Sequence, residues 1–159
     1  MEQKALAKWL KVILAGIGLC GLVVCFVIIP LCGQELVLQY PELSYCYYPW
    51  LIFLWVTGIP CYIALYFGWK IATNIGQDHS FTKANGRYLK WISRLAAGDS
   101  LLFFVGNVAF LFLNLNHPSV ALMLLMVVFI GVAISVAAAA LSHLVMKAAE
   151  LQEQSDLTI

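Results

Sequence analysis

An all-α membrane fold with four transmembrane helices is what this sequence predicts, and three observations predict it. Hydrophobic residues make up 63% of the 159 positions and charged residues 11%, with a mean hydropathy of +0.91, whereas a soluble domain carries roughly one-quarter charged residues. Four apolar runs, about 12–31, 50–69, 95–113 and 120–142, each approach or reach the roughly 20 residues a helix needs to cross a hydrocarbon core about 30 Å thick. All nine Lys and Arg residues fall on one side of these spans: three before the first, five around the second connection (Lys70, Lys83, Arg87, Lys90, Arg94) and Lys147 after the fourth. The positive-inside rule then puts both termini in the cytoplasm. The length fits one unit over 1–159, and a net charge of +1 gives no pull toward nucleic acid, so direct nucleic-acid binding is not expected.

Lys4, Lys8 and Lys11 precede the first helix, which is too long for a signal-peptide core. "VIIPLCGQELV" after it lacks a small-x-small cleavage site, so the helix belongs to the mature protein. Within it "GIGLCG", Gly16 to Gly21, matches the G-x-G-x-x-G dinucleotide pattern. That pattern works only where a strand turns into a helix at a pyrophosphate, so close helix packing is the expected use here. The outer loop that follows is rich in Tyr and ends at Trp50, as suits the headgroup level, and Pro41 and Pro49 argue against a long helix through it. Cys32 and Cys46 fall on this outer side, where they are either a disulfide or two small apolar thiols; Cys20, Cys25 and Cys61 lie at membrane depth.

Pro60 in the second helix predicts a kink, its freed carbonyl satisfied by Thr57 or by a neighbouring helix. No second Pro-interrupted span or internal repeat accompanies it, unlike the paired broken helices of transporters. The third helix is the most polar. Asp99, Asn107 and Asn114 recur at eight and seven residues, one drifting stripe that either bonds other helices or lines a polar path. Gly131, Ser135, Ala138 and Ser142 recur along the fourth helix at four, three and four, which allows a close backbone approach. The helix is expected to run on into a cytoplasmic tail, 147–159, acidic at Glu150, Glu153 and Asp156.

Between the second and third spans lies "SFTKANGRYLKWISR", the strip 80–94. Thr82 is a candidate N-cap with Asn85 three residues on. From there Lys83, Arg87, Lys90 and Arg94 recur at four, three and four, opposite Ala84, Tyr88, Trp91, Ile92 and Leu95. This predicts a short amphipathic helix on the membrane surface, although Asn85-Gly86 is also a turn signal that could delay its start. The basic row suits anionic lipid headgroups, the chain's own acidic tail or an acidic cytosolic partner. No catalytic constellation is suggested by His79, His117 and His143, and Cys20 and Cys25 lack C-x-x-C spacing, so no enzyme activity, metal or cofactor is expected.

The four-span layout, "SFTKANGRYLKWIS" as a form of Phe-Ser/Thr-x-x-Asn followed by a basic-hydrophobic helix, and the terminal "AAELQEQSDLTI" resemble domain-of-unknown-function family 2975 over essentially the whole chain. The family's usual acidic residue before the Asn is Ala84 here. The resemblance implies a small bacterial membrane protein, often encoded beside a small Cro-type helix-turn-helix regulator, and a regulatory pairing of the two. The expected function is therefore to bind or sequester that cytosolic regulator. The surface would be Phe81, Thr82, Lys83, Asn85, Arg87, Lys90 and Arg94 on the strip, with Glu153, Asp156, Leu157 and Ile159 on the tail. The alternative is a small transporter or channel subunit lined by Asp99, Asn107 and Asn114. A homo-oligomer is compatible with either.

Overall fold

The computed structural model describes residues 3–116 and 118–156, and they form four long helices joined by short turns. α1 runs Gln3–Gln39, α2 Ser44–Gly76, α3 Lys83–Phe112 and α4 Pro118–Asp156. All four are long and apolar enough to cross a membrane, one for each apolar run in the sequence. At 1.5 Å per residue α3 extends about 45 Å and α4 about 58 Å, well beyond a core about 30 Å thick. Backbones approach within 8 Å in chain order only: α1 to α2, α2 to α3, α3 to α4. Among the described residues the helices thus form a row and not a closed bundle. Its faces carry exposed Leu, Ile, Val and Phe side chains, as a lipid-facing surface requires.

Two prolines reshape α1 and α2. Pro30 has no N–H, and its ring crowds the carbonyl four residues back. The helix answers with a π turn at Val24–Ile28, in which Ile29 N–H reaches back five residues to Val24 O. Cys25 O then has no main-chain donor, since the residue five ahead of it is Pro30, and Trp55 Nε1 of α2 donates to it at 3.0 Å. Pro49 lies inside α2, so the outer connection is far shorter than the loop expected from Pro41 and Pro49. It shrinks to Tyr40 and the 3-10 turn Pro41–Leu43, because one missing N–H near a helix start removes one bond without ending the helix. Pro60 also sits within α2; Thr57 Oγ1 donates to Leu54 O at 3.0 Å and not to Val56 O, the carbonyl that Pro60 frees.

Small residues set the helix spacings. On the α1–α2 seam a side chain at Gly21 would meet the Tyr62 hydroxyl at 2.7 Å, and that hydroxyl donates to Gly18 O at 2.9 Å. The "GIGLCG" segment therefore serves packing, with Gly16 facing open space. On the α3–α4 seam Gly131 lies against Ser100, Ala138 is buried, Ser135 Oγ donates to Ser93 O at 2.9 Å, and Ser142 Oγ donates to Gly86 O at 2.7 Å. The whole small-residue stripe of α4 faces α3. Hydroxyls that bond across a seam leave no polar group in lipid, where an unpaired one costs several kcal/mol.

α2 and α3 end alike. Asp78, at φ 60°, follows α2, with its N–H bonded to Ile75 O and that of His79 to Asn74 O. Asn114, at φ 55°, follows α3, with its N–H bonded to Leu111 O and that of Leu115 to Phe110 O. Each is a left-handed C-terminal cap, which Asn and Asp tolerate better than other residues bearing a Cβ.

Candidate functional site

The strip 80–94 is not a separate surface helix. Thr82, extended at φ −122° and ψ 150°, caps α3 by accepting the Asn85 N–H at 3.3 Å, and the helix continues from Lys83 without a break to Phe112. Its apolar side packs in part on protein: Tyr88 and Trp91 stack on Phe67 of α2, with centroids 5.7 and 6.4 Å away. Asn85-Gly86 is helical too, and Gly86 is needed because Met146 and Ser142 of α4 occupy the space a side chain would take.

Asn85 is 1% exposed and organises the connection between α2 and α3. Its Oδ1 accepts from Asn74 Nδ2 at 2.7 Å, and its Nδ2 donates to His79 O at 3.0 Å and Ser80 O at 2.9 Å. With its polar atoms all engaged, Asn85 holds the surface together and offers nothing to a partner; Thr82 has the same supporting role as the cap.

The residues that do face outward are Phe81, Lys83, Arg87, Lys90 and Arg94, with Trp91 half exposed beneath the Arg94 guanidinium at 5.8 Å. Lys83 forms an ion pair with Glu153 of α4, joining the strip to the acidic tail within one chain. This end of α3 lies outside the apolar span. The hydrogen bond that Lys83 donates to Glu153, and then the Glu153 charge, push the lysine ammonium above its ordinary range. On the lysine side the pair is therefore intact at neutral pH and is lost as pH rises through that raised value. Both partners are more than half exposed, so the bridge orients the tail more than it stabilises the fold. Glu150 is exposed beside it, and Asp156 is the last residue of α4, while Leu157 and Ile159 lie outside the described residues.

The polar stripe expected on the third helix divides into three unlike sites. Asn107 is buried, donates from Nδ2 to Ala121 O at 3.1 Å and accepts from Asn116 at Oδ1, so it ties the turn after α3 to the start of α4. Asn114 lies beyond α3, and Tyr45 Oη donates to its carbonyl at 3.1 Å. Only Asp99 keeps an unpartnered buried oxygen, Oδ1; its Oδ2 accepts from the Cys61 thiol at 3.8 Å. The three thus do not form one helical stripe: Asn114 lies in the left-handed turn past α3, and Asn107 is bonded within the α3–α4 connection. Cys32 and Cys46 are both free thiols, Cys32 exposed on α1 and Cys46 buried in the first turn of α2, so the outer disulfide is not formed in the structure.

The row of helices with this clasped end can be set beside known proteins. A family model described as "Protein of unknown function (DUF2975)" matches residues 31–159. The chain is also similar to the "Uncharacterized membrane protein YoaS" of Bacillus subtilis (strain 168), 30% identical over 153 residues that cover 95% of this chain and 96% of that one. No solved structure matches it.

Proposed function

The chain belongs to the DUF2975 family of membrane proteins, and from that premise we propose that it holds a cytosolic protein partner at the membrane. The surface is the projecting end of α3 and α4: Arg87, Lys90 and Arg94 with Phe81 and Trp91 on the strip, and the acidic tail beside them. The observation that carries this reading is the clasp. Two helices continue beyond the apolar span and are tied to each other there by the Ser142–Gly86 bond and by the Lys83–Glu153 pair, an investment that spanning a bilayer does not need. A rigid basic row beside an acidic helix is complementary to a small helical partner of mixed charge, and electrostatic fit of that kind sets specificity and association rate. A small helix-turn-helix regulator, the occupant the family resemblance implies, is the partner we assign. The role is binding, without chemistry, and the mechanism is sequestration away from DNA.

This reading needs the clasped end in the cytoplasm of a bacterial cell, which the confinement of all nine Lys and Arg residues to that side supports. A reporter fused after Ile159 is expected to be active only in a cytoplasmic format, and one inserted at Glu42 only in an external format; the reverse would place the surface outside the cell and end the proposal.

Truncation after Leu151 tests the tail. It removes Glu153, and with it the pair to Lys83, but no residue of the apolar run 120–142. Membrane abundance should stay unchanged while co-purification of the regulator falls at least about tenfold, the equivalent of about 1.4 kcal/mol. Equal capture by the truncated chain would restrict the surface to α3.

A further inference from the structure

The seam between α1 and α2 opens sideways from the row, and two cavities lie along it on one face. The deeper, ≈ 460 Å³, is lined by Leu22, Phe26, Trp55, Gly58, Ile59 and Tyr62 among others, and is almost wholly apolar. The other, ≈ 440 Å³, lies at the basic end and is lined by Lys4, Lys8, Lys11, Trp69 and Gly76. Their α1 residues include 4, 8, 11, 15, 22 and 26, and their α2 residues 55, 59, 62, 66, 69 and 76, at steps of three, four or seven that keep each set on one helix face. The two cavities therefore lie in succession along one groove-like face of the seam.

Three lysines at one mouth and an apolar channel running from it toward the membrane centre are complementary to one class of molecule. We propose that this groove binds an anionic phospholipid from the leaflet on the basic side, its phosphate among Lys4, Lys8 and Lys11 and an acyl chain lying along α2 toward Trp55. The dimensions agree. From Trp69 to Tyr62 is about 10 Å along the helix and from Trp69 to Trp55 about 21 Å, which brackets the roughly 15 Å depth of one hydrocarbon leaflet. Lys11 lies 5.5 Å from the Trp69 ring centroid, so its ammonium is held at the mouth over an aromatic face. The π turn before Pro30 is part of the same wall, because it leaves Cys25 O to be met by Trp55, which fixes the indole at the deep end. Among the described residues α1 packs on no helix but α2, so a lipid seated here would bridge the edge helix to the rest of the row.

Native mass spectrometry of the full chain in mild detergent, offered equal amounts of dioleoyl phosphatidylglycerol and dioleoyl phosphatidylcholine, tests the site. One phosphatidylglycerol should be retained about tenfold over phosphatidylcholine, as a cluster of basic residues predicts. Lys8→Gln with Lys11→Gln should bring the two lipids to parity, whereas Lys83→Gln with Lys90→Gln, which removes the same charge elsewhere, should not. Gly58→Leu, which places a side chain in the channel, should weaken both lipids alike with the unfolding temperature as the check on folding. Free glycerol 3-phosphate should not displace the lipid, since it lacks the chain. Parity in the unmodified protein, no effect of the Lys8 and Lys11 changes, or the same loss in the Lys83 and Lys90 control would each overturn the proposal.

Discussion

Asn85→Leu is expected to lower unfolding stability in detergent by about 3 kcal/mol, because it strands buried polar groups at about 1–3 kcal/mol each. The side chains are similar in size, so packing changes little, and the loss comes from bonding. Asn74 Nδ2 loses its acceptor, and the carbonyls of His79 and Ser80 lose their donors. Water reaches part of this connection, which keeps the total below the sum of three full penalties. Asn85→Asp should fare no better: it keeps an acceptor for Asn74 but turns a charged oxygen toward two carbonyls. Thermal unfolding of the purified variants measures this. A change under about 1 kcal/mol would mean that the turn between α2 and α3 is held by its caps alone.

Gly106→Val is expected to be comparably damaging at the other end of the α2–α3 seam. A side chain at Gly106 would overlap the edge of the Phe53 ring. That ring is enclosed by Phe103, Phe110 and Trp50, with centroids 5.5, 5.2 and 5.9 Å away, and Trp50 is itself fixed by donating from Nε1 to Leu115 O at 2.9 Å. Phe53 therefore cannot swing clear, and the helices must separate. Overpacking of this kind costs about 1–3 kcal/mol. Gly106→Ala should lose less, since it adds one carbon in place of three. If the valine variant unfolds with the unmodified protein, Phe53 has room that the aromatic cluster does not suggest.

The spans were legible because hydropathy over about 20 residues is a bulk property that needs no knowledge of neighbours. So was the α4 stripe, since spacings of four and three define a face whatever it meets. Thr82 was legible as a cap for a similar local reason. What sequence could not supply were the relations among elements. The role of Asn85 depends on Asn74 eleven residues earlier and on two carbonyls of an irregular turn, and "KANGR" advertises none of them. The π turn depends on whether Trp55 stands ready to serve Cys25 O. Nor does hydropathy distinguish a row of helices from a bundle, since both bury too little to change the pattern. Asn114 did carry a signal that went unused: an Asn just past an apolar run marks a left-handed helix end. Counting it at seven-residue spacing with Asn107 extended a helical stripe beyond the end of α3.

The basic row was legible residue by residue, but its support was not. Its apolar back was assigned to lipid because an amphipathic strip beside two spans suits a membrane surface. In the structure that back packs on Phe67, and Arg87, Lys90 and Arg94 stand on the first turns of one long helix.

Charge reversal on that helix tests the proposed role most directly. Arg87→Glu with Lys90→Glu changes two exposed side chains outside the apolar span, so insertion and unfolding temperature should match the unmodified protein. Tagged full-length chains purified from their own cells should bring down a small DNA-binding regulator, and the double variant should lose it by at least about tenfold, with added salt weakening the unmodified complex in the same direction. Retention of the regulator at equal yield by the charge-reversed chain, or no regulator with either, would contradict a partner held on the α3 platform.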